Sequence, residues 1–443
     1  MSESKPQVVD EIISPRWLIP MAPQERILEN YSVAIHAGRI AAVLPSRDMD
    51  QQYISPQRTR LDGHALIPGL VNAHTHAAMN LLRGYADDMS LEHWLNDQIW
   101  PAESKHVSAE FVSDGTRLAI AEMLRGGITC FNDMYFFPDQ CARVAVDMGM
   151  RVCIGLIVLD FPTVWARDSN EYIDKAIKVR DQYREEALVH TAFAPHAPYT
   201  VSDEPLRKIG VYAEEMDLPI HMHVHETEKE VSESFATHGR RPLQRLKDLG
   251  LLSNRLAAVH LTCLDDQDLE LLSTHGVHAI HCPESNLKLA SGISPLKRIL
   301  EAGINVGIGT DGSASNNDLD VLAEMRTAAL LAKGASGDAT VLPAAQALYC
   351  ATQGGANALG LGSEIGSIET GKSADLAAIN LYEVDTLPVY HPISSIVYAA
   401  NRRQFTDVWV AGQRRLQNSE LLDIDLPALC KTALHWQNQI SSS

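Results

Sequence analysis

Leu66-Ile67-Pro68-Gly69-Leu70-Val71-Asn72-Ala73-His74-Thr75-His76 is the stretch on which the fold turns. It is a short apolar run, bounded by turn residues, that ends on two histidines one residue apart. A run of this length without helical period reads as a buried strand, here over 66–73. Residues two apart on a strand share a face, so both imidazoles can point the same way at its end. The rhythm then repeats. Further strand-like runs fall at 128–132, 152–159, 189–194, 219–223, 256–261, 278–281 and 305–309. Amphipathic stretches such as 109–125 and 203–216 lie between most of them. Alternating strand and helix signals predict the α/β class, and eight such units predict a (β/α)₈ TIM barrel.

Outward from the barrel the pattern changes. Before it, 33–36 and 40–43 flank Ala37-Gly38-Arg39, a hairpin with glycine at its turn. After a helical stretch at 351–361, strand-like text returns at 374–379, 396–399 and 408–411. The reading is a small β-sandwich domain built from both chain ends, 1–66 and 366–443, around a barrel over 67–365.

The chain has 443 residues, of which 37 are basic and 56 acidic, for a net charge of −19. That balance argues against a nucleic-acid partner, which needs a concentrated basic surface. No apolar run approaches the ~20 residues that span a bilayer, so no membrane partner is expected. The first residues, Met-Ser-Glu-Ser-Lys-Pro, lack the order of a secretory signal. Seven irregularly spaced cysteines do not form a disulfide framework, which makes a reduced, cytoplasmic home the expectation. A homo-oligomer is left open. The unusual component is histidine, at 18 residues, and position decides what these do.

In a (β/α)₈ barrel the chemistry sits at the C-terminal ends of the strands. Those ends carry His74 and His76, then His196, then His221, His223, His225 and Glu226, then His260, and finally Asp311. Two neighbouring imidazoles, a third and a carboxylate can hold one divalent metal ion and leave a place for water. Zinc suits such donors, with other transition metals open. A lone His-x-His is a weak signal. Recurrence of ionisable residues at five strand ends, where packing alone would select apolar groups, is a strong one. His36, His64, His190 and His278 read as structural or solvated, and His221 and His225 as supporting residues.

At these residues the sequence resembles the amidohydrolase superfamily. Residues 67–76 resemble its entry motif, and Cys282-Pro283-Glu284-Ser285-Asn286-Leu287-Lys288-Leu289-Ala290-Ser291-Gly292 with Gly309-Thr310-Asp311-Gly312 resemble its aminohydrolase branch. Residues 366–376 resemble the return into the small β domain. Trp94-Leu95, Ile99-Trp100-Pro101-Ala102-Glu103 and Ala194-Pro195-His196-Ala197-Pro198-Tyr199 narrow the likeness to 5-methylthioadenosine/S-adenosylhomocysteine deaminases. The resemblance implies one metal ion held by His74, His76, His223 and Asp311. The fourth strand carries no lysine, which favours one metal over two.

The resemblance further implies hydrolytic deamination of a purine nucleoside. Asp311 would take a proton from the attacking water, with His260 orienting that water. Glu226 would protonate N1 of the adenine ring as C6 is attacked, and burial could raise its pKa for that task. Glu103 would accept hydrogen bonds from the ribose diol, and His196 would contact the nucleoside. Residues 160–167 follow the third strand. There Phe161 and Trp165 would suit a methylthio group, whereas Arg167 could hold a homocysteine carboxylate. Methylthioadenosine is the favoured substrate, with S-adenosylhomocysteine and adenosine open. The alternatives are an aminohydrolase of guanine, a triazine or a pterin, and a non-catalytic scaffold on the same barrel.

Overall fold

Eight parallel strands pair in chain order in one sheet: Leu70–Thr75, Ile128–Met134, Arg151–Val158, Val189–Pro195, Ile220–Val224, Leu256–His260, His278–His281 and Val306–Ile308. The computed structural model describes residues 6–22 and 26–442. Residues 1–5, on which the reading of the N-terminal leader falls, lie outside the described residues. The strands are almost continuously buried and mostly apolar, as parallel strands covered on both faces must be. Past the eighth strand the chain closes onto the first. The Asp311 N–H donates to the His74 carbonyl at 3.0 Å, and the side chains of Asn72 and Thr310 bond at 2.8 Å. Closure depends on Gly309, because a Cβ there would sit 2.8 Å from that of His74.

The outer helices begin where the sequence supplies caps. Ser108 accepts from the Phe111 N–H at the start of Ala109–Arg125, and Asp168 and Thr227 do the same for Ser169–Tyr183 and Glu228–His238. Ala356, Leu359, Leu361 and Ile365 plug the barrel floor against Val71, Cys130, Cys153 and Ala192. The open end is the opposite one, where the histidines lie.

The chain ends build a nine-stranded sheet. Its order is Glu420–Leu421, Gln413–Gln417, Phe405–Val410, Leu376–Asn380, Gln57–Pro68, Glu11–Leu18, Tyr31–His36 and Arg39–Pro45, with Leu28–Glu29 paired to Glu11–Leu18. It curls on itself. Trp409 shares one apolar cluster with Val33, Ile35 and Ile40, and its indole N–H donates to Glu11 at 2.9 Å. The expected hairpin is present, with Ala37 and Gly38 at φ 49° and 78°, the positive pair that a two-residue turn requires. The strand Gln57–Pro68 runs past position 66 within the small sheet, and the barrel begins at Leu70.

One expected strand is a helix. Residues 396–398 lie in the helix Pro392–Tyr398 and Ala399 is its C-cap; Pro392 occupies the first turn and the His391 side chain caps the start. Ile393, Ile396, Val397 and Ala400 recur at helical spacing and are buried in the main core. Four apolar residues in a row carry too little pattern to reveal that period. The C-terminal helix Leu426–Ser441 also packs on the barrel, with Trp436 edge-on to Phe111 at 5.2 Å between ring centroids.

Candidate active site

Three imidazoles and a carboxylate converge at the open end of the barrel. His74 is the penultimate residue of the first strand and His76 follows that strand; His223 lies on the fifth strand, and Asp311 follows the eighth. The Oδ1 of Asp311 is 3.4 Å from His74 Nε2 and 3.2 Å from His76 Nε2. His223 Nε2 lies 3.1 Å from His74 Nε2. Donor atoms of His74, His76 and Asp311, and of His74, His223 and His260, fall within 4.8 Å of one another.

The remaining ring nitrogens explain why these faces are presented. His76 Nδ1 is 2.6 Å from the Met134 carbonyl, and His223 Nδ1 is 2.9 Å from the His196 carbonyl. A carbonyl only accepts, so both Nδ1 atoms carry hydrogen and both Nε2 atoms face the centre. Burial lowers the pKa of His74 to about 4 and holds His223 well below the usual range. Burial also opposes protonation of His76, but the hydrogen bond and charge of Asp311 outweigh it and hold His76 at about 9. Asp311 shows the mirror image: burial pushes upward, and its bonds to His74 and His76 bring it well below the carboxylate range. His74 and His223 are therefore neutral, and His76 would give up its Nε2 proton when a cation binds, so that three imidazoles and an ionised carboxylate form a donor set that fits a divalent one.

Around this centre lies a cavity of ≈ 260 Å³ that contains the other expected residues. Glu226, Asp311, His223, His260, Glu103 and His196 all line it, with the His196 ring 4.8 Å from that of His223 between centroids. Glu226 is buried, which raises its pKa; His260 Nε2 is 3.9 Å from its Oε2, and the Ser291 hydroxyl 3.4 Å from its Oε1. Burial likewise lifts Glu103 to about 7, against the lowering effect of the Tyr135 hydroxyl, which donates to it at 2.6 Å. Burial lowers His196 to about 3, so it is neutral at physiological pH.

The loop after the third strand divides. Phe161, Pro162 and Val164 line the cavity together with apolar residues that include Leu91, Trp94 and Leu95. Trp165 turns away and packs against Phe137 at 5.1 Å between ring centroids. Arg167 is also outside, 84% exposed and bonded to Glu171 at 2.7 Å. Among the described residues, no lysine or arginine lines the cavity. A larger open groove of ≈ 1320 Å³ lies between the C-terminal helix and Ala109–Arg125, and holds none of the expected site residues.

Several participants have no counterpart among the expected residues. Tyr135 lies just beyond a second strand that runs to Met134, two residues past its expected end. Ser285 and Ser315 donate to Asp311 Oδ2 at 2.7 and 3.1 Å, leaving Oδ1 to face the histidines. Asn286 Oδ1 holds His260 Nδ1 at 2.8 Å. Ser285 and Asn286 both fall in the 282–292 motif, which carried the signal without a role. His225 is a supporting residue, placed between the Cys263 carbonyl and the Leu243 N–H.

A model of the amidohydrolase family matches residues 65–415, most of the chain. The chain belongs to the amidohydrolase family. This amidohydrolase is 46% identical over 433 residues to a 5-methylthioadenosine/S-adenosylhomocysteine deaminase of Saccharophagus degradans, covering 98% of this chain and 97% of that one. It is 44% identical over 434 residues to the like-named protein of Teredinibacter turnerae, covering 98% of each. Among solved structures it resembles an adenosine deaminase from Xanthomonas campestris with bound zinc. That TM-score is 0.98 at 48% identity, over 99% of this chain and all of that one. Among the described residues, no helix of this amidohydrolase is long and apolar enough to cross a membrane.

Proposed function

We propose that the protein hydrolytically deaminates an adenine nucleoside, preferring 5′-methylthioadenosine and releasing 5′-methylthioinosine and ammonia. The observation that carries this reading is one cavity lined by two buried carboxylates, Glu226 facing His260 and Glu103 held by the Tyr135 hydroxyl. A free base such as guanine has no diol to occupy Glu103. The deaminase names of full-length relatives at 44% and 46% identity support the same class.

His74, His76, His223 and Asp311 would hold one divalent cation, with zinc favoured by the imidazole-rich donor set and by the zinc-bearing neighbour. Bound there, the cation supplies Lewis acidity that makes hydroxide available at neutral pH. Asp311, held by Ser285 and Ser315, takes the proton of the attacking water and passes it to the departing amine. His260, fixed through Asn286, orients that water. Glu226 gives a proton to N1, so the ring accepts the electron pair as C6 is attacked. The C6–N6 bond breaks as ammonia leaves, and the remaining hydroxyl proton, lost as the C6 carbonyl forms, restores the Glu226 acid. His196 contacts the nucleoside. The seven cysteines are free, which supports a reducing, cytoplasmic setting.

The apolar wall formed by Leu91, Trp94, Phe161 and Val164 supports methylthioadenosine over S-adenosylhomocysteine. With Arg167 outside, a homocysteine carboxylate would enter without a cationic partner. On a panel of methylthioadenosine, S-adenosylhomocysteine, adenosine and guanine, scored by ammonia release, kcat/KM should be highest for methylthioadenosine. Absence of activity on every adenine nucleoside would overturn the reading. Arg167→Ala should leave the ratio between the first two substrates unchanged.

Glu103 adds a pH signature. An ionised carboxylate accepts from both ribose hydroxyls, and this one ionises near 7 in the free protein. Below that pH it is protonated and the diol loses an acceptor, so kcat/KM should rise with pH through about 7. In Glu103→Gln that rise should vanish, and kcat/KM should fall about 10- to 100-fold, the worth of hydrogen bonds to a charged group. Persistence of the rise in the variant would assign it to another group.

A further inference from the structure

His74 differs from its two companions. The Nδ1 atoms of His76 and His223 face backbone carbonyls, but that of His74 faces another imidazole, with His221 Nε2 at 2.8 Å. The two rings lie 23° from parallel with centroids 5.0 Å apart, and both are buried. An imidazole nitrogen can donate or accept, so this bond has two arrangements. If His221 donates, His74 accepts at Nδ1 and carries its own hydrogen on Nε2, aimed at the carboxylate of Asp311. That hydrogen blocks ligation. If His221 accepts, His74 carries its hydrogen on Nδ1 and its Nε2 lone pair is free.

We infer that His221 is a positioning residue, serving as the acceptor that lets His74 present Nε2 to a divalent cation. The inference rests on the proposed metal site. In the accepting arrangement the hydrogen of His221 sits on Nδ1, and that atom is buried with no hydrogen-bond partner among the described residues. A buried unpaired donor is unfavourable. In the donating arrangement the same Nδ1 is an unpaired buried acceptor, so His221 itself sets no clear preference and cation uptake selects the accepting arrangement. A residue that only filled space there would need no acceptor.

The experiment is zinc binding to chelator-stripped full-length protein, by competition with a chromophoric chelator, alongside the melting temperature of each metal-free variant. Glutamine places a carbonyl oxygen near the position of Nε2, so H221Q should bind zinc within about threefold of wild type. Phenylalanine keeps the stacked ring and removes the acceptor, so H221F should bind about 10- to 100-fold more weakly, the usual effect of losing a partner to a metal-bound imidazole. Its metal-free melting temperature should stay near that of wild type. If H221F does not fold, H221M against H221Q makes the comparison at matched length. Wild-type affinity in H221F or its substitute, or equal losses in the glutamine and apolar variants, would overturn the inference. H74A separates the premise from the inference. Zinc binding in H74A as tight as in wild type would refute the metal site itself.

Discussion

Glu226→Gln is expected to lower kcat for methylthioadenosine about 10²- to 10⁴-fold, the range for loss of a general acid. That corresponds to about 3–5 kcal/mol of transition-state stabilisation. The substitution keeps the size and polar character of the side chain but removes the proton that N1 needs. The turn that carries it is held by hydrogen bonds. Glu230 accepts from the backbone N–H groups of His225 and Glu226 at 3.0 and 2.7 Å, fixing the turn from which Glu226 projects. Glu226 itself is only 7% exposed, so water cannot readily replace it as a proton source. Zinc content should be unchanged, because Glu226 is not among the proposed ligands. Steady-state kinetics with a metal analysis checks both statements. A kcat within tenfold of wild type would remove Glu226 from the proton path.

The second large effect lies far from the chemistry. Asp375→Ala is expected to destabilise the protein by about 3–5 kcal/mol, the cost of leaving a buried charge without its partner. Arg151 opens the third barrel strand and meets Asp375 in two bonds of 2.8 and 3.1 Å, with side chains 3% and 1% exposed. Its guanidinium also donates to the Ser373 hydroxyl and the Ala187 carbonyl. The Asp375 carboxylate accepts from the Ala411 N–H, and its backbone carbonyl accepts from the Gly69 N–H at 2.9 Å. One residue thus ties the returning chain, the small sheet and the entry to the first barrel strand. Urea unfolding of the variant should show the loss, and the double variant R151M/D375L should recover much of it. A loss below about 1 kcal/mol for Asp375→Ala would show that the pair carries little of the joint.

The barrel was legible because buried parallel strands are written as apolar runs, and its mouth because ionisable residues end those runs. His74, His76, His223 and Asp311 come together as the strand ends imply, and His260, Glu226, His196 and Glu103 line the same cavity. Three features were not legible. The helix Pro392–Tyr398 is hidden when only residues 396–399 are read, since its period appears over 393–400. The Met134 and His196 carbonyls that orient two imidazoles are backbone groups, which every residue has. The direction of Arg167 depends on its bond to Glu171, four residues on, and the loop text reads equally well with it turned inward. Tyr135 was within reach, being one residue past the true end of the second strand, but a strand ending at 132 places it in a loop.

The most direct measurement is the reaction of zinc-loaded wild-type protein with methylthioadenosine, following the nucleoside by chromatography and ammonia by a coupled assay. The account predicts 5′-methylthioinosine and ammonia in equal amounts, with loss of turnover on zinc removal and its return on zinc addition. Intact methylthioadenosine after prolonged incubation with the zinc-loaded protein would contradict it.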